Sequence, residues 1–117
     1  MGSLSVILRR PPYGTTDASE AVRHALGGIT EDESVSLILL DGGVTAAQKG
    51  QQAESTEYLS VESGLIDCID MGAEIYADRS SLEECGLKTG DLIEGIKVSN
   101  SREIAGVIGN SDTIMIF

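Results

Sequence analysis

The sequence predicts an α/β three-layer sandwich, with helices on both faces of a mostly parallel five-stranded sheet. Short apolar runs alternate with amphipathic segments along the whole chain, as parallel strands alternate with crossover helices. Several of those runs are β-branched and apolar at consecutive positions, the pattern of strands buried on both faces. The chain has 117 residues, enough for one domain and one core without metal or disulfide staples.

Leu4–Arg9 (LSVILR) is the first such run and ends at the rigid pair Pro11-Pro12. Ala18, Ala21, Val22, Ala25 and Leu26 then repeat at helical spacing, with Thr16 or Asp17 as the cap and Gly27-Gly28 as the stop. Val35–Leu40 (VSLILL) is the second strand, and Asp41-Gly42-Gly43 turns into a short helix over Val44–Lys49. From Thr56, the residues Tyr58, Val61, Leu65 and Ile69 fall on one helical stripe that stops at Gly72, with Cys68 beside it.

Glu74–Ala77 (EIYA) reads as a third strand. The helix after it has two overlapping capping boxes, Ser80 with Glu83 and Ser81 with Glu84, and closes at Gly86. Leu92–Val98 (LIEGIKV) is a fourth strand interrupted by Gly95. Asn100 with Glu103 caps a helix carrying Ile104, Val107 and Ile108, and Thr113–Phe117 (TIMIF) is the fifth strand. No repeat, low-complexity tail or second domain interrupts residues 1–117.

Eight Lys and Arg stand against nineteen Asp and Glu, a formal charge of −11. Such a chain is repelled by a phosphate backbone or an anionic bilayer unless its cations cluster, and they do not, so neither nucleic acid nor membrane is an expected partner. No run reaches the ~18 apolar residues of a membrane span, and the N-terminus lacks a basic, cleavable leader, which points to the cytoplasm. Cys68, Cys85 and His24 are too few to close a structural zinc site, so no metal is expected.

In open parallel sheets, ligands meet the carboxyl ends of the strands, which directs attention to 9–15, 41–43 and 77–81. A dinucleotide fingerprint would need G-x-G-x-x-G after the first strand, where Arg9-Arg10-Pro11-Pro12-Tyr13-Gly14 stands instead. Gly86-Leu87-Lys88-Thr89-Gly90 has the letters of a phosphate loop in the wrong arrangement. Gly14-Thr15-Thr16 at a helix start could meet an anion, yet a flavin wants aromatic covers, and the chain has three Tyr, one Phe and no Trp. No cofactor is expected. The lone His24 lies off the apolar stripe of its helix, facing solvent, with no arrangement for a hydrolytic triad.

Taken in order, several segments carry a resemblance. They are Arg10-Pro11-Pro12-Tyr13-Gly14-Thr15 followed by Asp17-Ala18, then Leu39-Leu40-Asp41-Gly42-Gly43-Val44 and Lys49-Gly50-Gln51. Further on come Ile75-Tyr76-Ala77-Asp78-Arg79-Ser80-Ser81-Leu82 with Gly86-Leu87, and the ending Ser111–Phe117. This set resembles the DsrE/DsrF-like sulfur-relay family, on its DsrF/TusC branch. The resemblance implies a small α/β subunit that assembles into trimers, hexamers or hetero-oligomers with related subunits, with a sulfur-carrier protein as a further partner. Some family members hold sulfur as a persulfide on a cysteine just after the third strand. The residue at that position here is Asp78, and a carboxylate cannot accept sulfane sulfur.

The expectation is therefore a non-catalytic or accessory subunit whose polar pocket is formed by Arg9, Arg10, Tyr13, Gly14, Thr15, Asp41, Asp78, Arg79 and Ser80. The arginines would supply charge for a small anion or for the tail of a partner. A plainer alternative pairs Arg79 with Asp78 across a loop and leaves Arg9 and Arg10 to solvent. Two other functions stay open: anion sensing, and sulfur transfer through Cys85 or Cys68. Cys85 falls at the negative end of its helix beside Glu83 and Glu84, and Cys68 reads as a small buried hydrophobe.

Overall fold

The computed structural model describes residues 2–12, 16–50 and 61–117. Five strands, β1 (Ser3–Leu8), β2 (Ser34–Leu39), β3 (Glu74–Asp78), β4 (Lys97–Ser99) and β5 (Thr113–Ile116), form one sheet in the order β4-β3-β2-β1-β5. Every neighbouring pair is parallel. Among the described residues, four α-helices connect them: α1 (Asp17–Thr30), α2 (Val61–Asp70), α3 (Arg79–Glu84) and α4 (Ser101–Gly109). The α/β architecture expected from the alternation is the one observed.

The two faces of the sheet are filled unequally. Alternate residues of β1, β2 and β3, including Leu4, Val6, Leu8, Leu37, Leu39, Ile75 and Ala77, pack with Ala21, Ala25, Leu65 and Cys68 of α1 and α2 into one large cluster. The opposite face holds Ile7 and Ile38 under Ile104 of α4, with Leu40, Tyr76, Val107 and Ile108 at the margin. Ser5 is also buried on that side, where its hydroxyl bonds that of Ser111, which in turn donates to the Val107 carbonyl at 2.9 Å. Beyond it, Tyr76 donates its hydroxyl to Glu74, and Lys97 lies 3.2 Å from the same carboxylate. That bond, with partial burial, pushes the Tyr76 phenol up to about 12.

Several local readings change. The first helix does not stop at Gly27-Gly28 but runs to Thr30, because Gly28 is a packing residue. A Cβ there would meet Leu4 at 2.8 Å and Val35 at 2.9 Å, so the missing side chain lets α1 lie against β1 and β2. Gly64 serves α2 in the same way, since its Cβ would fall 2.6 Å from Val22. The turn at Asp41 opens a 3-10 helix, Asp41–Ala47, in place of a helix at 44–49. The fourth strand shrinks from Leu92–Val98 to Lys97–Ser99: Thr89–Asp91 is a 3-10 turn, Leu92 forms an isolated antiparallel bridge with Gln48, and Gly95 adopts φ +100°. Asn100 and Glu103 form the expected capping box. The part of the second stripe before Val61, including Tyr58, lies outside the described residues.

Candidate functional site

Parallel pairing brings the carboxyl ends of β5, β1, β2 and β3 side by side. There a cavity of about 560 Å³ is lined by Arg9, Arg10, Asp17, Asp41, Ile116 and Phe117. Three predicted residues, Arg9, Arg10 and Asp41, meet in it. Asp78, Arg79 and Ser80 do not line it, and Tyr13, Gly14 and Thr15 lie outside the described residues. Asp17, Ile116 and Phe117 were missed. Asp17 carried only a capping signal, and the adjacency of β5 to β1 depends on strand order, which no local pattern encodes.

The pocket is not the cationic patch expected from its arginines. Arg9 donates through Nε to Asp41 Oδ2 at 3.2 Å, and Arg10 Nη1 lies 3.5 Å from Asp17. Each guanidinium thus has a carboxylate counter-ion, and the lining is locally neutral. The Arg9–Asp41 pair is exposed on both sides, a setting in which ion pairs contribute roughly 0–1 kcal/mol, and in the second pair Arg10 is exposed and Asp17 half-buried. Behind them His24 stacks on Phe117 with ring centroids 5.4 Å apart, so it covers the fifth strand and is only partly exposed.

Asp41 is the hub of this end of the sheet. Its φ of +51° puts a non-glycine residue in the left-handed region, a conformation costing on the order of 1 kcal/mol that neighbouring contacts must hold. Its backbone N–H donates to Ser81 Oγ at 2.9 Å, and the Ser81 hydroxyl donates to Asp78 Oδ2 at 2.7 Å. A polar chain therefore runs from Arg9 through Asp41 and Ser81 to Asp78, tying the ends of β1, β2 and β3 together. The sequence assigns Ser81 a capping box and a place in the 77–81 loop, but not its part in this chain.

Asp78 has a definite structural task. It ends β3 and caps α3, its carboxylate accepting from the Ser81 N–H at 3.1 Å as well as from the hydroxyl. This replaces the predicted Ser80 and Ser81 capping boxes. It also replaces the pairing of Asp78 with Arg79, since no Asp78–Arg79 ion pair occurs among the described residues; Arg79 and Ser80 are exposed.

The two thiols differ completely. Cys68 is 0% exposed in the large core, and burial, aided by the charge of Asp67, raises its thiol from 9.0 to about 11. Cys85 is exposed at the far end of α3, with Sγ 4.0 Å from the Asp41 carbonyl oxygen, to which the thiol donates. Neither occupies the start of α3. Among the described residues, no group of three or more His, Cys, Asp and Glu is placed to hold a metal ion, and no helix is long and apolar enough to cross a membrane.

An all-parallel sheet with its polar residues at the strand carboxyl ends defines a small α/β protein of the open, parallel-sheet class. The chain belongs to the DsrE/DsrF-like family, which it matches over residues 3–117. It is 33% identical to an uncharacterized protein of Methanocaldococcus jannaschii over 97% of both chains. It is 29% identical to the intracellular sulfur oxidation protein DsrF of Allochromatium vinosum over 93% of this chain and 91% of that one, and 27% identical to the TusC homolog of Vibrio vulnificus over the full length of both. The ychN protein from E. coli has the same fold, with a TM-score of 0.91 over the whole of both chains at 19% identity.

Proposed function

We propose that this chain is an accessory subunit of a sulfur-relay assembly, one that joins related subunits without itself carrying persulfide sulfur. The observation that carries this reading is the fate of Asp78. At the position where the family resemblance calls for a sulfur-accepting cysteine, this chain has a carboxylate committed to capping α3 and bonding Ser81. Sulfur acceptance needs a thiolate that can attack a donor persulfide, R–S–SH, and leave as Cys–S–SH with release of R–SH. A carboxylate at that position has no equivalent chemistry. The relatives named DsrF and TusC support a place in the same kind of system.

The reading is tested by installing the missing thiol. Asp78→Cys, incubated with a low-molecular-weight persulfide, is expected to gain ~32 Da steps in intact mass. The untreated Asp78→Cys protein provides the baseline, and a variant that takes up no sulfur would mean that position 78 is not where this fold accepts it.

A second reading, sulfur transfer through Cys85, rests on that thiol being exposed and 4.0 Å from the Asp41 carbonyl beside the Arg9 end of the pocket. It predicts uptake by the wild type that is lost in Cys85→Ser.

A further inference from the structure

We propose that the cavity at the carboxyl ends of β5, β1 and β2 is a binding site for a zwitterion, a free α-amino acid with an uncharged, apolar side chain. Its volume of about 560 Å³ lies within the range of small-molecule sites. Two guanidinium groups and two carboxylate side chains balance in its lining. A phosphate or other compact anion therefore meets a carboxylate beside each arginine, and a chain charge of −11 repels it from a distance. A wholly apolar ligand would strip water from all of these charges and give nothing back. A ligand with one charge of each sign escapes both penalties.

The pairing within the cavity leaves valences of both signs unused. Arg9 binds Asp41 through Nε and Oδ2, and among the described residues neither the Nη groups of Arg9 nor Oδ1 of Asp41 has a hydrogen-bond partner. The unused donors and the unused acceptor thus lie on two groups already in contact at 3.2 Å. An α-amino acid carries its ammonium and carboxylate on one carbon, about 3 Å apart, a spacing that suits this pair. Its carboxylate meets the Nη groups of Arg9 and its ammonium meets Oδ1 of Asp41, so the existing ion pair is extended into a ring of alternating charge and is not broken. Asp41 is held in place before any ligand arrives, its N–H donating to Ser81 Oγ at 2.9 Å and its carbonyl accepting from the Cys85 thiol.

The rest of the lining is apolar. The Phe117 carbonyl accepts from the Arg9 N–H at 2.9 Å, so this wall begins beside the charged pair. Phe117 is backed by the stacked ring of His24, whereas Ile116 is 66% exposed. An apolar side chain laid on Ile116 and Phe117 removes their surface from water, and in an α-amino acid that side chain leaves the same carbon as the two charges.

The site is independent of sulfur uptake, so it stands or falls apart from the relay reading. The test is titration of isotope-labelled wild-type protein with L-leucine to ~20 mM at constant ionic strength, a range suited to a ligand of so few atoms, followed by amide chemical shifts. Saturable shifts centred on Arg9, Asp41, Ile116 and Phe117 are expected. 4-Methylpentanoate, which lacks the ammonium, and 3-methylbutylamine, which lacks the carboxylate, should each bind roughly tenfold more weakly. Glycine, which lacks the side chain, should bind roughly fivefold more weakly, and inorganic phosphate should not displace leucine. Arg9→Gln and Asp41→Asn should each weaken leucine binding roughly tenfold, while Arg102→Gln, at an exposed arginine of α4, should leave it unchanged.

Absence of saturation by leucine, or shifts centred elsewhere, would overturn the proposal. So would phosphate or any of the three analogues binding as tightly as leucine, or a loss in Arg102→Gln equal to that in Arg9→Gln. Should either cavity variant unfold, the analogue series on the wild type decides alone.

Discussion

The interior around Cys68 and the loop end around Cys85 are held by different physics. Cys68 sits among Leu65, Leu37 and Ile75 in a close-packed core where every atom removed leaves a void. At the loop end, Arg9, Asp41, Ser81 and Asp78 are joined by individual polar bonds, the Arg9–Asp41 bond open to water and the two through Ser81 partly buried. The contrast teaches that the residues with the most chemistry are the ones the fold invests least in. The loop end can therefore change its residues at little cost to stability, whereas the core cannot.

The contrast can be sharpened by substitutions of decreasing effect. Leu65→Ala should cost about 3 kcal/mol in denaturant unfolding, because a fully buried leucine between α1 and the sheet leaves a cavity. Cys68→Ser should cost about 2 kcal/mol by putting a hydroxyl into a buried hydrophobic cluster. Asp78→Ala should cost about 1 kcal/mol through loss of the α3 cap. Arg9→Ala should fall within about 0.5 kcal/mol, as expected for an exposed pair. A loss from Arg9→Ala as large as that from Leu65→Ala would break the comparison.

Alkaline pH separates the same two regions. The Cys68 thiol titrates near its ordinary 9.0 in the unfolded chain and near 11 in the folded one. The unfolded state therefore loses its proton first as pH rises. The stability from this group is whole below about pH 9 and is lost progressively toward pH 11. Cys68→Ala should flatten the stability profile in that window when unfolding is followed by circular dichroism. Tyr76, held up to about 12 by its bond to Glu74, adds a further loss that begins near its ordinary 10.0.

The fold was legible because its signals are local and repeated. Apolar strand runs, helical spacing and the Asn100–Glu103 box each declare their element without reference to the rest. What escaped depends on contacts between distant segments. Gly28 read as a helix stop, yet it and Gly64 are small because Leu4, Val35 and Val22 press against them. The arginines looked like a cationic site until the fold set Asp41 and Asp17 beside them. Ile116 and Phe117 joined the pocket only because β5 lies next to β1. Asp78 drew attention through the family resemblance alone, and its engagement with Ser81 became visible only with the turn in place.

The central claim is that this chain holds no thiol placed to take up relay sulfur. Its most direct test is the intact mass of the folded wild-type protein after incubation with a persulfide donor. The account predicts an unchanged mass, with Cys68 sealed in the core and Cys85 at the wrong end of α3. Gains in ~32 Da steps that disappear in Cys85→Ser would contradict it.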